Sequence, residues 1–133
     1  MNDITEKPQI GTGGRATTYK EAQKLLAKWT KRLCLQDWKI KLNINCKPED
    51  MAIQDVSGDT SWSESGKCAR IDIIDPAYYG KRIVPFRFEQ VLVHELLHLK
   101  FTFWCQEDKK IEDRLMHQYI DDLARALTWE ADG

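Results

Sequence analysis

Two histidines of this 133-residue chain, His94 and His98, stand four positions apart in the run Val93-His94-Glu95-Leu96-Leu97-His98-Leu99. On a helix, residues at i and i+4 share a face with Cβ atoms roughly 6 Å apart, close enough for both imidazoles to reach one zinc ion. Glu95 then lies about 100° round the helix, which sets a carboxylate beside the metal without making it a ligand. A base in that position can take a proton from a water that attacks a carbonyl. Around this trio almost every position from Val91 to Trp104 is apolar, so the helix is expected to be buried on most sides. Ionisable groups in such a setting are costly unless paired or bound to metal. All three histidines of the chain fall between residues 94 and 117, concentrated around one candidate site.

A third ligand is expected from the final helix, read over about Lys110 to Thr128. Ile111, Leu115, Met116, Tyr119, Ile120, Leu123 and Leu127 define its expected inward face. Wheel arithmetic puts Glu112 near the centre of that arc, and an acid on a buried face calls for a cation. Thirteen residues separate His98 from Glu112, enough to end one helix, turn and begin an antiparallel partner. His117 is the rival, because in a hairpin turning near Gln106 it comes level with the histidine pair. For stabilising an oxyanion the candidate donors are Tyr78, Tyr79, His117 and Tyr119.

The elements that must hold these residues follow from periodicity. Thr18-Tyr19-Lys20-Glu21 has capping-box form, and Ala22, Leu25, Leu26, Trp29 and Leu33 follow at helical spacing, which predicts a helix over about 19–34. Trp38 to Asn45 alternates strictly between apolar and polar residues, as a half-buried strand does. Thr60-Ser61-Trp62 reads as a short strand, and Ala69, Ile71 and Ile73 alternate with Arg70 and Asp72 in another. Pro85 suits the first turn of the helix that runs on to Trp104. The expected class is α+β: an N-terminal helix, a small, mostly antiparallel sheet of about three strands, the His94–His98 helix and a closing helix. Residues 1–17 are polar, with Pro8 and Gly11-Thr12-Gly13-Gly14, and are expected to form a flexible tail ahead of one domain over 18–133.

Composition narrows the function classes. Twenty basic residues against 21 acidic ones leave a net charge of −1, which argues against a polycationic nucleic-acid binder. Lys20, Lys24, Lys28, Lys31 and Arg32 are read as the solvated face of the first helix. The first residues carry no basic and apolar leader pattern, and no apolar run nears the roughly 18 residues of a membrane span, so a cytoplasmic protein with no membrane partner is expected. Cys34, Cys46, Cys68 and Cys105 are dispersed and fit reduced thiols. Neither Gly11–Gly14 nor Gly66-Lys67 has the surroundings of a phosphate-binding loop.

The run His94-Glu95-Leu96-Leu97-His98 resembles the signature of the zincin metallopeptidases, in particular the minimal gluzincin-like and SprT-like domains of bacterial or phage type. The strand Ala69-Arg70-Ile71-Asp72-Ile73 upstream and the helix beginning Glu112-Asp113-Arg114 extend the likeness over about residues 19–128 in element order. The resemblance implies a zinc-dependent hydrolase in which Glu95 is the general base and acid, acting on a protein or peptide. It also implies that an edge strand beside the zinc helix, here Ala69 to Ile73, receives an extended substrate. Gluzincin-like members use a glutamate as third ligand, matched by Glu112, whereas SprT-like members use a histidine. The chain lacks the cysteine zinc ribbon that SprT-like proteins append. A catalytically silent, zinc-stabilised interaction module of protease ancestry is the alternative expectation.

Overall fold

A computed structural model describes residues 16–51, 56–80, 85–102 and 110–129, the last range with side chains from Arg114 onward. The first helix, α1 (Tyr19–Arg32), starts where its cap predicts. Thr18 Oγ1 accepts the Glu21 N–H at 3.1 Å, and Glu21 Oε1 accepts the Thr18 N–H at 3.0 Å, so two otherwise orphaned donors are satisfied reciprocally. Its Ala22, Leu26 and Trp29 are buried, while the lysines of the opposite side face water. The helix ends as the chain enters a left-handed conformation at Cys34, φ +59°. The expected tail falls mainly on residues 1–15, outside the described residues.

The sheet has three strands, β1 (Lys39–Cys46), β2 (Gly58–Ser63) and β3 (Cys68–Ile74), in the spatial order β1-β3-β2. β1 and β3 run parallel, and β2 and β3 antiparallel. This corrects the mostly antiparallel expectation: alternation identifies each strand but carries no information on which strands become neighbours. It also corrects the placement of Ala69, Arg70, Ile71, Asp72 and Ile73. They lie on the central strand, paired on both sides, and so offer no edge to a substrate. Ile71 and Ile73 are fully buried, as befits a strand in the middle of a sheet.

The second helix, α2 (Phe88–Lys100), begins three residues after Pro85, which therefore precedes the helix instead of occupying its first turn. Its Leu92, Val93, Leu96, Leu97 and Leu99 pack into the core with Ile71, Ile73 and Trp29. Glu89 ties α2 to α1 by accepting from Trp29 Nε1 at 2.7 Å and Lys28 Nζ at 3.1 Å. Residues 103–109, where the sequence places the end of this helix and the following break, lie outside the described residues.

The closing helix α3 (Lys110–Leu127) packs against α2, but not on the face its apolar residues predict. Ile120 and Ala124 are fully buried, Thr128 just beyond the helix is nearly so, and Met116 packs partly against the core. Leu115, Tyr119, Leu123 and Leu127 remain exposed. The buried arc is thus turned by about 100°, one residue's step, from the expected one. Small side chains explain the choice: Ala124 lets α3 approach α2 closely where Leu123 would hold it off. The Thr128 hydroxyl donates to the Ala124 carbonyl at 2.7 Å, and Arg87 Nη2 donates to the Thr128 carbonyl at 3.0 Å, which closes the helix end against the entry to α2. Among the described residues no helix is long and apolar enough to cross a membrane, and Cys34, Cys46 and Cys68 are free thiols. Cys105 lies outside the described residues.

Candidate metal centre

The one-residue turn of α3 decides the site. His94 and His98 project from one face of α2, and the rotation brings His117 of α3 against them. Ring centroids lie 5.0 Å apart for His94 and His98, 4.7 Å for His94 and His117, and 5.3 Å for His98 and His117. One ring nitrogen from each lies within 4.8 Å of the other two, so the three imidazoles are close enough to share a metal ion. Glu112 belongs to α3, but its side chain lies outside the described residues.

Electrostatics favour the ligating form of these histidines. Burial, reinforced by the neighbouring imidazoles, pushes His98 down to about 4. His94 is also lowered, by burial and then by His117, with Asp121 pulling the other way. Both rings are therefore neutral near pH 7, with lone pairs available to a cation. His94 Nδ1 lies 3.4 Å from Asp121 Oδ1, and Asp121 Oδ2 accepts from Arg125 Nη2 at 2.8 Å. A carboxylate on the far nitrogen of a histidine orients the ring and strengthens it as a donor. Asp121 follows His117 by four residues, so one helix face presents both. That spacing is visible in the sequence once His117 is placed at the site.

Glu95 points instead toward β2. It is almost fully buried, and burial raises its carboxyl to about 7 despite an opposing hydrogen bond from Thr60. Thr60 Oγ1 donates to Glu95 Oε1 at 2.5 Å. Gly58 closes the other side: a Cβ there would sit 3.0 Å from Glu95 Oε2 and 2.9 Å from Val91 Cγ1, too near for any side chain. The strand passes directly over the carboxylate because residue 58 has no side chain. Thr60 and Gly58 had no signal in the sequence, since only the β2–α2 approach gives them a role.

β2 has no partner strand on its outer side among the described residues. The Ile74 N–H donates to the Ser57 carbonyl at 2.9 Å, and hydrogen-bonded and non-bonded residues alternate along an antiparallel pair. The backbone groups of Gly58, Thr60 and Trp62 therefore face the open edge. A cavity of about 340 Å³ adjoins this end of β2, with Tyr79, Phe86, Val91, His94, Glu95 and His117 among its walls. Of the oxyanion candidates, Tyr79 reaches this cavity and its ring packs edge-on against Phe86 at 5.3 Å. Tyr78 and Tyr119 are exposed and do not line it, and His117 joins the histidine cluster.

Compared with protein-family models, with curated proteins and with solved structures, the chain matches none.

Proposed function

We propose that the protein is a zinc-dependent peptidase that hydrolyses a peptide bond in a protein or peptide, with His94, His98 and His117 as the metal ligands and Glu95 as general base and acid. The observation that carries the reading is the pairing of a three-imidazole cluster with a buried carboxylate from the very next residue of the same helix. A purely structural metal site has no use for that acid. The donor set suits zinc: one nitrogen from each of three imidazoles is a ligand set that zinc takes in catalytic sites, where a fourth position would be left for water. His117 in this role matches the histidine ligand of SprT-like domains.

When bound, a zinc ion would lower the pKa of water toward about 7 and polarise a carbonyl. Glu95 does the proton work. Burial holds its carboxyl near neutrality, so it can accept a proton from the attacking water and return it to the leaving amine at the same pH. Thr60 fixes one carboxylate oxygen and Gly58 leaves room for the other. Asp121 holds the His94 ring from behind. An extended peptide would lie along β2, meeting the outward backbone groups of Gly58, Thr60 and Trp62. This transfers the substrate edge from β3 to β2, the outer strand that borders the cavity.

The test joins metal analysis with Glu95→Gln. One equivalent of zinc retained, with peptide cleavage lost, is the expected result. Full activity in the Glu95→Gln protein would refute the catalytic assignment, and zinc retention without any cleavage by the wild-type chain would favour a metal-stabilised interaction module.

A further inference from the structure

Among the described residues, half of the large apolar side chains left in water belong to one helix face. Leu115 is 53% exposed, Tyr119 69%, Leu123 40% and Leu127 42%, and Trp129 just past the helix end is 66% exposed. The first four are spaced by four residues and so form one continuous ridge along α3. Together the five present about 560 Å² of surface, most of it apolar, comparable to the largest apolar patch on a typical monomer. No described element covers them.

We infer that this ridge is the docking surface for a second copy of the chain, α3 against α3 across a two-fold axis. Area is the first argument. Two copies bring together about 1,100 Å² of this mostly apolar surface before any surrounding residue is counted, close to the roughly 1,200–2,000 Å² of stable complexes. The second argument is the register. A two-fold axis requires each contact to occur twice, and an antiparallel pair meets this with Leu115 opposite Leu127 of the second copy and Tyr119 opposite Leu123. Ridges of i±4 spacing are also those that interlock in the commonest class of helix packing. Charge offers little resistance between Leu115 and Leu127, where the ridge is uncharged and neighbouring Asp122 accepts from Arg125 at 3.2 Å, although Glu112 continues the same line one turn ahead of it. The small Ala126 beside it lets two backbones come close. His117 lies about 140° away round the helix, taking the ridge centre between Tyr119 and Leu123, so the metal centre stays open in the dimer.

Sedimentation equilibrium on the full chain at about 100 µM, far above the Kd of a standard-size interface, is the test. The expected mass is twice the 15.5 kDa of one chain. Tyr119→Glu and Leu123→Glu, both at exposed positions, are expected to weaken dimerisation by at least about 100-fold while leaving the circular dichroism unchanged. Tyr119→Ser serves as the milder variant if either acidic one fails to fold. A monomeric wild-type chain would overturn the inference, as would a dimer indifferent to all three substitutions. A wild-type monomer that dimerises only after residues 1–15 are removed would assign the ridge to that segment of its own chain.

Discussion

The two sides of α2 carry the two halves of the candidate chemistry, and they are built differently. Toward β2, Glu95 is sealed, almost fully buried, bonded to the Thr60 hydroxyl and overlaid by Gly58, while it still lines the cavity it shares with His94 and His117. Toward α3, the histidines are half-buried or exposed, and Asp121, at 3.4 Å from His94, is itself only half-buried. A proton carrier benefits from a dry, fixed setting, because burial is what brings a carboxyl near neutrality. Metal ligands need room for an ion to enter and for a substrate to reach its open position. The contrast separates a side governed by packing from one governed by polar orientation.

Removing one imidazole ligand from the open side should have the largest effect. His98→Ala and His117→Ala are each expected to weaken zinc binding by more than about 100-fold, beyond what loss of an orienting partner costs. Competition with a chromophoric chelator reads this directly. Glu112→Ala is expected to leave the affinity unchanged, and a loss comparable to that of His117→Ala would restore Glu112 as a ligand. Asp121→Ala comes next, with affinity lowered about 10- to 100-fold through the freed His94 ring. If zinc affinity does not change, the 3.4 Å contact plays no orienting part.

On the sealed side, Gly58→Val should act through packing, since its Cβ would meet Val91 and Glu95. A loss of about 1–3 kcal/mol in urea unfolding of the metal-free protein is expected. Unaltered stability would mean that β2 can lift from α2, contrary to the sealed arrangement.

The smallest effect is a pH dependence in which the two sides oppose each other in the metal-free protein. His98 falls from 6.5 to about 4 on folding, so the unfolded chain binds its proton first and stability is lost as pH falls through that window. Glu95 rises from 4.5 to about 7, so the folded chain holds its proton more tightly and stability is lost as pH rises through the overlapping window. Glu95→Gln removes the second contribution alone. In chelator, its unfolding free energy should climb more steeply between pH 4.5 and 6.5 than that of the wild type. Parallel curves would show that burial does not shift the Glu95 carboxyl.

Much of this molecule is local in origin and therefore legible in the sequence. The Thr18–Glu21 cap starts α1, alternation marks β1 and β3, and the four-residue spacing of His94 and His98 puts two imidazoles on one face of any helix containing them. Neighbouring residues determine these features through backbone hydrogen bonds and side-chain period. Contacts between distant segments decided the rest. The placement of β3 between β1 and β2 depends on which strands meet, and the roles of Gly58 and Thr60 exist only where β2 crosses Glu95. The rotation of α3 was chosen by close packing at Ala124 and Ile120, against the pull of Leu115, Tyr119, Leu123 and Leu127. An apolar wheel weighs residue types without knowing how near the neighbouring helix can come, and that distance is what brought His117 to the histidine pair.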